Sequence, residues 1–144
     1  MFIVDTNILL YAANEDMREH AACKRLLEGW CNQSAVWYVP WTVLYEFMRV
    51  VTHPKVFPNP WSVREAWGFI ETLLASPGLR VLTETAMHRR IAAEIIDTHP
   101  FIAGNLIFDL HTAILMREHG VEVIYTRDAE FHKFSFLKVI DPLK

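Results

Sequence analysis

Met1-Phe2-Ile3-Val4-Asp5-Thr6-Asn7-Ile8-Leu9-Leu10-Tyr11-Ala12 opens the chain, and its reading decides the fold. A short apolar run stops on a carboxylate, so Phe2 to Asp5 reads as a short buried strand with Asp5 at its end. Asp5 then has two readings. It caps a helix beginning near Asn7, or it faces a ligand beyond the end of the strand.

Working outward, strands and helices alternate. Glu15 to Trp30 reads as a helix with Ala21, Ala22, Leu26 and Leu27 on its inner face, and Val36 to Val39 reads as a strand stopped by Pro40. Trp41 to Thr52 is a helix that is apolar almost all round, so it is deeply packed or shared with a partner. Ser62 and Glu65 have the spacing of a capping box, which starts a helix that ends near Ala75. Arg80 to Leu82 is a third strand, after which Thr83 caps a helix to His99, closed by Pro100. Asn105 to His119 is the next helix, with Gly120 at its C-terminal end. Val121 to Tyr125 and Phe136 to Ile140 complete the strands. This alternation predicts an α/β fold with a mainly parallel sheet covered by helices on both faces. Ligands of such folds bind beyond the carboxyl ends of the strands.

The 144 residues suit one domain, 1–144, and a composition 52% hydrophobic and 22% charged is that of a globular chain. The net charge of −3 excludes a global basic field for nucleic acid, so RNA binding needs local cations or metal ions. Cys23 and Cys31, if they share a helix, stand about 12 Å apart along its axis, too far for a disulfide. A reduced, cytoplasmic protein is the simpler expectation. No signal peptide is expected, since the apolar Met1-Phe2-Ile3-Val4 meets Asp5 at once, and no apolar run approaches the roughly 20 residues of a membrane span.

Four acids sit in apolar surroundings: Asp5 at the first strand's end, Glu46 in Val43-Leu44-Tyr45-Glu46-Phe47-Met48, Asp109 in Leu106-Ile107-Phe108-Asp109-Leu110, and Asp128 after the fourth strand. Each has an ordinary explanation alone. Glu46 pairs with Arg49 one turn on, Asp109 meets the positive end of a helix, and Asp128 shapes a turn. Together they ask for more, because buried carboxylates need partners, and only Arg49 and Arg127 are near in sequence. Clustered carboxylates repel unless a cation lies among them, and hard oxygen ligands suit Mg2+ or Mn2+. An ion so held polarises a phosphodiester and activates water, so metal-assisted phosphodiester hydrolysis is the chemistry these residues favour.

At these positions the sequence resembles the PIN-domain nucleases, in particular the VapC toxins. The opening Ile3-Val4-Asp5-Thr6-Asn7 is similar to the family's first motif, and Glu46 to its helix-borne second acid. Gly104-Asn105-Leu106-Ile107-Phe108-Asp109-Leu110 resembles the third motif and Thr126-Arg127-Asp128 the fourth. Leu110 departs from the small residue common there. The resemblance spans the chain in order and implies a three-layer α/β/α sandwich in which Asp5, Glu46, Asp109 and Asp128 ligate one or two divalent ions. Thr6 and Asn7 then support Asp5, and Thr126 holds the site's hydrogen-bond network. It further implies a homodimer, a VapB-type antitoxin, and tRNA, rRNA or mRNA as substrate.

Three rival readings stand beside this one. A PIN-like module that has lost turnover would hold RNA or protein without needing metal. An RNA-processing nuclease outside a toxin pair would share the chemistry. A phosphotransfer enzyme of the haloacid dehalogenase type would use Asp5 as nucleophile, but it needs a second Asp where this chain has Asn7. Of the remaining polar residues, His111 reads as a boundary histidine and Arg89-Arg90 as a solvated face.

Overall fold

Ile3 and Val4 are both completely buried, and they point to opposite sides of one sheet. The computed structural model describes Met1–Lys144 and places these residues in strand β1 (Ile3–Val4). The elements that follow are α1 (Thr6–Ala13), α2 (His20–Asn32), β2 (Trp37–Pro40), α3 (Trp41–Val51) and α4 (Val63–Leu74). After these come β3 (Leu79–Leu82), α5 (His88–Thr98), α6 (Leu106–His119), β4 (Val123–Tyr125), a 3-10 turn (Ala129–Lys133) and β5 (Lys138–Ile140).

The five strands form one sheet in the order β3-β2-β1-β4-β5, and every neighbouring pair is parallel. The expected α/β class with a mainly parallel sheet is therefore what the chain adopts. Ile3 pairs with Tyr38 on one side and Ile124 on the other, so β1 is the central strand. Alternating side chains feed two cores, as the twofold period of a strand requires. Val4, Trp37, Val39 and Leu79 pack beneath α1 to α4, while Ile3, Leu82 and Ile124 pack beneath α5 and α6. These are the three layers of an α/β/α sandwich. No helix is long and apolar enough to cross a membrane.

Several boundaries differ from the sequence reading. The first strand is shorter than Phe2–Asp5, because Asp5 leaves the sheet to cap α1, accepting from the Thr6 amide at 2.7 Å. The helix expected from Glu15 begins only at His20, behind a turn that follows α1. Thr83 does not cap α5, which starts five residues later at His88. The cause is Glu118 on α6. Its side chain is fully buried and accepts from the Thr85 amide at 2.9 Å, the Thr85 hydroxyl at 2.7 Å and His88 at 2.6 Å. That pins residues after β3 in an irregular path.

Helix α3 is not apolar all round. Val43, Leu44, Phe47 and Val51 are buried, while Trp41, Tyr45 and Arg49 face outward. The expected cap at Ser62 is present with its reciprocal Glu65 bond. Gly120 ends α6 with φ +64°, a left-handed conformation in which a side chain is strained. Cys23 and Cys31 are both free thiols on α2.

Candidate active site

Asp5 stands at the carboxyl end of the central strand and is only 8% exposed. Its position is locked from three directions. Oδ1 accepts from the Thr6 amide at 2.7 Å. Oδ2 accepts from Asn7 Nδ2 at 2.8 Å and from the Thr126 hydroxyl at 2.6 Å. Thr126, itself fully buried, accepts from Asn7 Nδ2 at 2.8 Å and from the Asp128 amide at 2.9 Å. Asn7 Oδ1 then accepts from the Arg127 amide at 3.2 Å. One closed network therefore ties the end of β1 to the loop leaving β4, although the residues lie about 120 apart in sequence.

Glu46 enters from α3. Its Oε2 accepts from the Thr6 hydroxyl at 2.8 Å, which joins α3 to the start of α1. Its contact with Arg49 is 3.9 Å on an exposed surface, too long to neutralise it. Asp128 Oδ1 caps the 3-10 turn through the Glu130 amide at 2.8 Å. Asp109 lies in the first turn of α6, half-buried. The ordinary explanations of capping and helix dipole thus hold for Asp5, Asp128 and Asp109, yet they leave carboxylate oxygens over.

Asp5, Glu46, Asp109 and Asp128 line one cavity of about 640 Å³. Arg49 is the only cation in its lining. The effect on protonation is large. Burial raises the Asp5 carboxyl to about 6; the Thr126 and Thr6 bonds oppose the rise, and the Glu46 and Asp128 charges add to it. Burial raises Asp109 to about 7, reinforced by Asp5, Asp128 and Glu46. The charge repulsions, which add to burial, reach across three elements and a loop. The Thr42 hydroxyl also lines the cavity with no hydrogen-bond partner in the protein, a polar group left for an occupant.

The donor set consists of hard oxygens, which fits Mg2+ or Mn2+. No three of the His, Cys, Asp and Glu side chains close into a preformed cage. That too is compatible with Mg2+, which keeps several waters and needs only one or two carboxylates.

Residues 2–137 match the PIN domain. The chain belongs to the PIN-domain family. Within it, the chain is 35% identical to ribonuclease VapC43 of Mycobacterium tuberculosis, over 99% of this chain and 96% of that one. This places the PIN domain described here among the VapC ribonucleases. Two solved structures share its fold. The M. tuberculosis VapC20, described as a Sarcin-Ricin loop cleaving toxin, has a TM-score of 0.67 at 22% identity and covers 95% of this chain and 97% of its own. VapBC2 from Rickettsia felis, bound to a DNA fragment from its promoter, has a TM-score of 0.64 at 18% identity and covers 96% of each chain.

All four acids singled out in the sequence line the cavity of this PIN domain, and Thr6, Asn7 and Thr126 form a hydrogen-bond network with Asp5 and Glu46. His111 lies outside the cavity lining and pairs with Glu84 at 2.8 Å. The cavity also holds Tyr45, Asn105 and Phe108, which sequence reasoning passed over. One available signal was the aromatic residue directly preceding Glu46 and again directly preceding Asp109.

Proposed function

We propose that the cavity is the active site of a divalent-metal-dependent ribonuclease, the toxin of a VapBC-type pair, with Asp5, Glu46, Asp109 and Asp128 holding Mg2+ or Mn2+. The observation that carries this reading is the convergence of the four carboxylates from β1, α3, α6 and the β4 exit on one cavity, where Asp5 and Asp109 are pushed up to about 6 and 7. When bound, the ion supplies Lewis acidity toward a phosphodiester oxygen and lowers the pKa of an attacking water.

The protein's own residues supply position and charge. The Thr6, Asn7 and Thr126 bonds leave Asp5 a single orientation, so its carboxylate is preorganised. Thr6 fixes Glu46 in the same way. Asp109 gains no hydrogen bond to offset its burial, so it is the carboxylate with most to gain from a cation. Arg49 at the rim receives the phosphate backbone against the field of the acids.

The substrate is RNA (tRNA, rRNA or mRNA), the partner is a VapB-type antitoxin, the assembly is a homodimer, and the compartment is the cytoplasm. The VapC43 relative, named a ribonuclease, supports RNA as the substrate; the other assignments are what the family resemblance implies. Purified protein incubated with RNA is expected to cleave it in Mg2+ or Mn2+ and to leave it intact in EDTA. Undiminished cleavage in EDTA would remove the metal from the reaction. Metal-independent RNA binding without any cleavage would favour the module that has lost turnover.

A further inference from the structure

The cavity has a polar floor and an aromatic rim. Asp5 at the floor is 8% exposed, whereas Tyr45 and Phe108 are 61% and 59% exposed. Tyr45 comes from α3 and Phe108 from α6, helices that cover opposite faces of the sheet. Val43, the remaining apolar residue in the lining, is 3% exposed. The two rings therefore supply the apolar surface that an occupant of the cavity meets.

Single exposed aromatics are ordinary on a protein surface. Two that flank one acidic cavity from separate layers are a different case. Phosphate chemistry at the carboxylates uses only the charged part of the cavity. A sugar-phosphate backbone offers no flat apolar face to fill the rest, but a nucleobase does. Aromatic side chains stack on any base, and an unstacked base is the form that RNA-binding proteins take in this way.

We infer that Tyr45 and Phe108 form a nucleobase clamp at the rim of the acidic cavity, gripping one unpaired base so that its phosphodiester reaches the carboxylates. This rests on the cavity being a ribonuclease active site. A base inside a continuous duplex is covered by its stacked neighbours, so the clamp selects loops, bulges and single strands. Arg49 stands one turn beyond Tyr45 on α3 and is well exposed, placed to meet the phosphate of the gripped nucleotide.

The test uses an RNA oligonucleotide carrying one 2-aminopurine, whose fluorescence is quenched on stacking. Titrated in EDTA, where binding is read without cleavage, wild type is expected to quench it. Tyr45→Ala and Phe108→Ala are each expected to weaken Kd on the order of 10- to 100-fold. Tyr45→Phe and Phe108→Tyr, which keep a ring, should recover most of that affinity. With Mn2+ present, the alanine variants should show a raised KM, and wild type should cleave the single strand much faster than the same sequence in a continuous duplex. Unchanged Kd in both alanine variants would overturn the clamp, as would equal cleavage of duplex and single strand. Loss of RNA binding accompanied by a change of oligomeric state in gel filtration would also overturn it, and would assign the rings to a protein interface. A wild type that cleaves no RNA in Mn2+ would instead sink the ribonuclease reading, while quenching in EDTA would still decide the clamp.

Discussion

Asp109 and Asp5 carry the sharpest consequence of burying carboxyls beside other acids. An unfolded carboxyl titrates near 4, whereas the folded values are about 7 and about 6. Between these limits the folded state binds more protons than the unfolded one. Stability contributed by these groups is thus present at low pH and is lost as pH rises through 6 to 7. In EDTA, the melting temperature of wild type should fall relative to that of Asp109→Asn as pH goes from 5 to 8, and Asp109→Asn should be the more stable at pH 8. Parallel curves for the two proteins would show that neither burial nor the other acids raise the Asp109 carboxyl. The sequence made Asp5, Glu46 and Asp109 visible because each breaks or ends an apolar run, and Asp128 because it follows the fourth strand. It did not reveal their protonation, which depends on burial and on distances across the fold. Nor did it reveal Tyr45 and Phe108, since aromatic residues in apolar runs read as core until packing shows which side of the helix is left bare.

The loop leaving β4 matters as much as the acids it serves. Thr126 donates to Asp5, accepts from Asn7 and from the Asp128 amide, and is fully buried. Thr126→Val keeps the shape, leaves the Asp128 amide without its acceptor and removes one of the two side-chain donors to Asp5 Oδ2, so we expect a loss of about 1–3 kcal/mol in stability and a fall in cleavage rate of at least tenfold. Thr126→Ser should retain most of both. Chemical denaturation with single-turnover cleavage reads the two effects, and a fully active Thr126→Val would show that the network does not hold Asp5 in place. Elements with strong local signals were legible, as the Ser62–Glu65 capping box and Gly120 show. The start of α5 was not. Its position is set by Glu118, 33 residues away from Thr85, and no local pattern encodes that bond. Glu118→Ala should therefore release residues 83–88. We expect faster amide exchange there and a stability loss of about 1–3 kcal/mol; unchanged exchange would mean that the segment is held by other contacts.

The molecule as a whole has a net charge of −3, and the cavity proposed to take RNA is itself lined by four acids and one arginine. In the proposed site a divalent cation would reconcile this charge with RNA binding by offsetting the repulsion among the carboxylates. Because the folded state alone forms this cavity, the ion should stabilise the fold. At a hundred times its Kd the gain is about 2.7 kcal/mol, roughly 5 to 10 °C for a domain of this size. Differential scanning fluorimetry across millimolar Mn2+ reads this directly, and Asp5→Asn should blunt the shift. The three-layer order was legible because strand and helix periods alternate along the chain, and an all-parallel sheet then sends its ligand site to the carboxyl edge. The central claim is that Asp5 serves chemistry rather than RNA affinity, and its direct test is to compare Asp5→Asn with wild type at pH 8 for both binding and cleavage. Removing one negative charge is worth on the order of 1 kcal/mol at low salt, so in EDTA the variant should bind RNA as tightly as wild type or several-fold tighter, with the gain shrinking as salt is added. In Mg2+ or Mn2+ it should bind RNA but fail to cleave it. Cleavage by Asp5→Asn at the wild-type rate would contradict the account.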